Sequence, residues 1–123
     1  MHQTALSVLD EEALSRLSEL DPSGKSQLLA RVLKAFEASI ERLVPQLEAA
    51  RAGPDLERIL HVAHTLKSSS ASIGAARMST LCGEVESMAR DARTERLGER
   101  LEALSGEIAK VRRAVQARIG VRA

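Results

Sequence analysis

The chain has 123 residues, with 18 Lys and Arg against 17 Asp and Glu, and a single aromatic residue, Phe36. This is enough for one hydrophobic core and reads as one domain, 1–123, whose near-neutral charge selects no class of partner. No apolar run is long enough to span a bilayer, the start MHQTALSVLDEEA has no secretory pattern, and the lone Cys82 can form no internal disulfide, which together fit a cytoplasmic protein.

Ala, Leu, Arg and Glu dominate, and β-branched residues are few, so the expected fold class is all-α. A short first helix is expected from Asp10 to Leu20, with Leu14, Leu17 and Leu20 on one side. DPSGKS breaks it through Pro22 and Gly24. A second helix follows from about Ser26 to Arg51, with Leu29, Val32, Phe36, Ile40, Leu43 and Leu47 spaced by threes and fours. Pro45 is expected to kink or divide it, and AGPD ends it, with Asp55 as cap or first-turn acid of the next helix. The third helix runs from Asp55 to about Ile73, and Gly74 interrupts it. A fourth carries Met78, Leu81, Val85 and Met88, and a last one, capped by Thr94, holds Leu97, Leu101, Leu104, Ile108, Val111 and Val115. Four long amphipathic helices with short connections give an antiparallel four-helix bundle, with the first short helix as an addition.

Two of the three histidines lie in HVAHTLKSSSASIGA, on the third helix. On a wheel of about 100° per residue, Ile59, Ala63, Leu66, Ser70 and Ile73 cluster toward the core. His64 lies about 140° from the core centre and His61 about 160° on the other side, so both face solvent. Leu60, Lys67, Ser68 and Ala71 surround His64 at the helix neighbour spacings. An exposed helical histidine is ordinarily a solvated residue. A metal site built from Glu57, His61 and His64 lacks a fourth ligand, and the hydroxyls of KSSSAS lack the orienting group and oxyanion hole of a serine nucleophile.

The stretch AHTLKSSSASIGA resembles the core of the histidine-containing phosphotransfer (HPt) domains of multistep phosphorelays. Ala63, His64, Leu66, Lys67, Ser69, Ala71, Gly74 and Ala75 stand at matching positions, and Ser68 departs from the pattern by replacing its usual glycine. A serine there can bond back to the His64 carbonyl, and it leans over the turn that carries His64. The resemblance implies a four-helix bundle with a further N-terminal helix, and it selects His64 over His61 as the phosphoryl acceptor. It implies that Lys67 offsets phosphate charge, and that Leu60, His61, Ser68 and Ala71 meet the partner. That partner is a receiver domain, bringing its aspartate and Mg²⁺, or a hybrid sensor histidine kinase. The chain itself would hold no cofactor or metal and act as a monomeric carrier.

No nucleotide-binding glycine loop is present, so the chain is expected not to label itself from ATP. Two readings compete. In the phosphoacceptor helix pair of sensor kinases an acidic residue usually follows the histidine; here Thr65 does. A non-catalytic helical adaptor is the second. The Arg-rich end KVRRAVQARIGVRA suits a helix C-terminus better than nucleic acid, since no stacking aromatics or overall basic excess accompany it.

Overall fold

The computed structural model describes residues 8–24 and 27–120. Among them are five helices and no strand: α1 Glu11–Glu19, α2 Leu28–Ala52, α3 Leu56–Ser72, α4 Ala76–Arg90 and α5 Leu97–Gly120. The four long helices close a ring, α2 against α3 and α5, α3 against α4, and α4 against α5, while α1 lies on α2. Cross-helix pairs fix the antiparallel sense. Along α2 from Glu37 to Arg51, the partners on α5 run backwards from Gln116 through Ser105 to Glu102. Between α4 and α5, Arg77 meets Glu107 and Glu84 meets Arg100. This is the expected all-α bundle with its short additional helix.

The buried stripes explain the pairing. On α5 the six expected residues, Leu97 to Val115 at alternating fours and threes, are all buried. On α3 Ile59, Ala63, Leu66 and Ser70 are wholly inaccessible, as is Ile73 just past its end. Ser70 sits in this apolar stripe because its hydroxyl donates to the carbonyls of Leu66 (2.7 Å) and Lys67 (3.1 Å), leaving no unpaired polar atom.

Several local expectations are corrected. The buried line of α2 is Leu33, Phe36, Ile40, Leu43, Leu47 and Ala50, with Leu29 and Val32 only half-buried at its start. Pro45 does not divide α2, which is one helix through it; Pro45 and Glu41, whose carbonyl loses its intrahelical donor, both lie on the exposed side. The Ser26 start falls outside the described residues, as does the end of the Arg-rich tail, residues 121–123. Leu20 lies past the end of α1 and is 74% exposed rather than part of its apolar side. The last helix opens at Leu97, so Thr94 precedes it in a turn, where its backbone carbonyl accepts the Leu97 N–H (3.3 Å). Asp55 caps α3, accepting the Arg58 N–H (3.1 Å), and Asp10 is the cap of α1 rather than its first residue, accepting the Glu12 N–H (2.9 Å).

The turns after α3 and α4 close in the same way. After α3, Ala75 N–H donates to Ser70 and Gly74 N–H to Ala71, with Gly74 left-handed at φ 75°. After α4, Arg93 N–H donates to Met88 and Ala92 N–H to Ala89, with Ala92 left-handed at φ 55°. Gly74 carries a second constraint. Asp10 N–H donates to its carbonyl (2.8 Å), and a Cβ there would lie 2.9 Å from the Asp10 Cβ and 3.0 Å from the Asp10 nitrogen. The chain entering α1 is thereby seated on the α3–α4 turn, and an ion pair of Glu11 with Arg118 ties α1 to the end of α5.

Opposite substitutions in these two turns should have opposite effects. Gly74→Ala meets both the left-handed backbone and the Asp10 clash and should lower stability by about 2–3 kcal/mol. Ala92→Gly should raise it by about 0.5–1 kcal/mol, since the relief of αL strain exceeds the added flexibility of the unfolded chain. Urea unfolding of the two variants beside the parent protein measures both.

Candidate functional site

The exposed crest of α3 follows from its buried stripe. With Ile59, Ala63, Leu66 and Ser70 turned inward, His61, His64, Ser68 and Ala71 are exposed, and Leu60 and Lys67 are half-buried at the edge. The two histidines diverge across this crest. His61 lines a groove toward α2 with Leu43, Gln46, Glu57, Arg58 and Thr65. His64 turns toward α4. The face that Glu57, His61 and His64 share on the wheel is therefore not one cluster, and among the described residues no group of three or more potential ligands could hold a metal ion.

What His64 meets is Glu86, a residue the sequence reading did not single out. Its Oε2 lies 2.8 Å from His64 Nδ1 and 3.0 Å from Arg90 Nη2, while Oε1 lies 2.7 Å from Lys67 Nζ. Glu86 belongs to the buried side of α4 with Cys82, Val85 and Ala89, and its side chain is 6% exposed against 64% for His64. A carboxylate so far from water needs compensation, and the two cations with the imidazole provide it. The Lys67 ammonium is the main cause holding the Glu86 carboxyl below its ordinary value, against the opposing effect of burial, and His64 adds to it. Gly83 lies beside the stem of Lys67, and Ser79 Oγ donates to the Lys67 carbonyl (3.2 Å), fastening α4 to α3 at this level. Behind the site, burial and the negative Glu86 push the Cys82 thiol up to about 12, so it stays protonated and serves as packing.

The arrangement fixes the chemistry of the imidazole. An ionised carboxylate only accepts hydrogen bonds, so Nδ1 carries the proton and donates it to Glu86. In the neutral ring Nε2 then holds the free lone pair, on the side of the ring away from Nδ1. His64 is thus an exposed nitrogen nucleophile on a ring oriented from the buried side. Lys67 lies one turn on, but its ammonium is engaged by Glu86 rather than free in solvent.

A signal for Glu86 was present. It stands four residues after Cys82 and three before Ala89, on the apolar side of α4, with Arg90 four residues further. Its lowered pKa has a definite sign in stability. The folded state binds the Glu86 proton less readily than the unfolded chain, so this contribution is intact above the usual value of 4.5 and is lost as pH falls below it. Glu86→Gln should lower stability at neutral pH, and its stability should fall less steeply than that of the parent below about pH 4.5; urea midpoints across pH 3 to 7 check this.

Comparison with known proteins identifies the fold and the family. The family model described as the Hpt domain matches residues 31–114, a span that includes His64, Lys67, Glu86 and Arg90. The crystal structure of histidine-containing phosphotransfer protein B (HptB) from Pseudomonas aeruginosa PAO1 is similar with a TM-score of 0.81 and 26% identity, over 92% of this chain and 95% of that one. A search of curated proteins gave no match. With well over half of its length matched by the family model and the same helical fold in a solved relative, the chain belongs to the Hpt family and is a histidine phosphotransfer carrier of phosphorelays.

Proposed function

We propose that His64 is the residue that carries the phosphoryl group, taking it from a receiver-domain aspartate and passing it to another receiver. The observation that supports this most is the 2.8 Å contact of Nδ1 with buried Glu86, on a histidine whose other side is open. In the forward step the Nε2 lone pair attacks phosphorus, a P–N bond forms, and the P–O bond to the receiver's aspartate breaks with its electron pair leaving on the carboxylate. Nδ1 keeps its proton, and the positive charge that develops on the ring faces Glu86. In the return step a carboxylate oxygen of the second receiver's aspartate attacks phosphorus, a P–O bond forms, and the P–N bond breaks with its pair returning to Nε2, so the ring leaves neutral. Phosphoryl transfer depends mainly on positioning and charge stabilisation, and here the chain provides both through Glu86 and Lys67.

Lys67 is 40% exposed and one turn from His64, so its ammonium can share its charge between Glu86 and an arriving phosphoryl group. The receiver brings its own Mg²⁺ with the aspartate. The partner surface is the α3 crest, Leu60, His61, Ser68 and Ala71 around His64. The donor side is a hybrid sensor histidine kinase, and the chain works as a monomeric, cytoplasmic module, 1–123, without nucleic acid. No helix among the described residues is long and apolar enough to cross a membrane.

Incubation with a phosphorylated receiver domain, followed by mapping of acid-labile phosphate, tests the acceptor. His64→Gln should abolish labelling and His61→Gln should keep most of it; the reverse result overturns the assignment. Ala71 tests the surface. It is exposed two turns beyond His64, and Ala71→Glu places bulk and an unpaired charge under the receiver. Transfer should slow at least ~10-fold while stability stays within about 0.5 kcal/mol, as for other exposed substitutions. Normal transfer by the folded variant would put the receiver elsewhere.

A further inference from the structure

The segment after His64 holds Ser68, Ser69, Ser70 and Ser72, and their hydroxyls are not used alike. Ser70 donates to the Leu66 and Lys67 carbonyls, and Ser72 donates to the Ser68 carbonyl (3.0 Å). Ser69 lines a groove toward α2 with Val32, Ala35 and Ser39. Ser68 is exposed, and the bond back to the His64 carbonyl that the sequence allowed is not formed; among the described residues its hydroxyl has no protein partner. It is an uncommitted, exposed donor one turn from His64.

Its side of the helix matters. Glu86 draws Nδ1 toward α4, and Nε2, the other nitrogen of the ring, is directed away from that contact by the geometry of imidazole. Lys67 lies between His64 and α4, whereas Ser68 lies about 40° beyond His64 in the opposite sense on the wheel. Helical side chains lean toward the N-terminus, which carries the Ser68 hydroxyl over the turn of His64.

We infer that Ser68 is a phosphoryl-binding residue whose hydroxyl donates a hydrogen bond to the group carried on Nε2 and prolongs its life there. This rests on His64 as the acceptor. The physical reason is the loose transition state of phosphoryl transfer, in which the departing group carries less charge on its oxygens than the bound dianion does. A donor therefore holds the bound group more strongly than the departing one and slows its loss to water. Glycine, usual at this place in the pattern, has no donor to offer. Ser68 gives this carrier a longer-lived phosphohistidine.

The probe is phosphoramidate, whose P–N bond breaks with ammonia leaving as a new P–N bond forms to Nε2. The full chain is phosphorylated, the site is mapped, and decay is followed by phosphorus NMR at constant pH. Ser68→Ala and Ser68→Gly should shorten the half-life about three- to tenfold, the worth of one hydrogen bond, and Ser68→Thr, which keeps the hydroxyl, should retain it. Alanine is the better helix former, so loss of fold does not confuse the first variant. A His64 label whose half-life is the same in Ser68→Ala overturns this inference alone. A label absent from His64 in the parent protein overturns the acceptor assignment with it.

Discussion

Everything distinctive about this site depends on one carboxylate taken out of water. Glu86 is 6% exposed, and its two oxygens are shared among Lys67, Arg90 and the ring of His64. Removing any one partner leaves buried charge less well compensated, and that penalty exceeds the worth of an ordinary surface pair. The three partners come from two helices, so the ionic contact is also an α3–α4 crosslink. Glu86 is itself placed by the packing of Cys82, Val85 and Ala89 around it. The orientation of an exposed imidazole is thus set by the hydrophobic core.

The remainder of the fold keeps that crosslink in register. The stripe of α3 buries Ala63 and Leu66 on either side of His64 in sequence, and this fixes the direction in which its Cα–Cβ bond leaves the helix. Ser70 and Ser79 lock the turn of Lys67 by donating to its carbonyl. Gly74 lets the α3–α4 connection close in one tight turn with a left-handed residue, which sets how far α4 slides along α3, and the chain entering α1 covers that turn, the Asp10 N–H donating to the Gly74 carbonyl.

The bundle and the α3 crest were legible in the sequence because both follow from unbroken apolar periodicity. The stripes of α3 and α5 lie where the wheel puts them, and the exposure of His61, His64, Ser68 and Ala71 follows directly. Local breaking rules carried less well. Pro45 lies on the exposed side of a helix whose neighbours Leu43 and Leu47 are buried, and tertiary packing keeps α2 continuous through it. Glu86 escaped because a carboxylate in an amphipathic helix reads as solvated, and its partners His64 and Lys67 lie a helix away in sequence. The surroundings of Lys67 were half legible. Its nearness to His64 could be read from helix spacing, but its bond to Glu86 depends on the alignment of two helices.

A carrier must present a nucleophile openly and still hold it still. Two partners meeting in solvent do this poorly, because an exposed pair is worth only about 0–1 kcal/mol and its side chains exchange with water. Placing one partner in the core changes that balance. Glu86 cannot easily turn to water, so the His64 ring that reaches it inherits a defined direction while 64% of the side chain stays accessible. The helix supplies the backbone precision that a loop would lack. On the proposed assignment the same contact would serve transfer in both senses, since a proton retained on Nδ1 would support the charge that develops on the ring when Nε2 gains a phosphoryl group and would leave a neutral imidazole when that group departs.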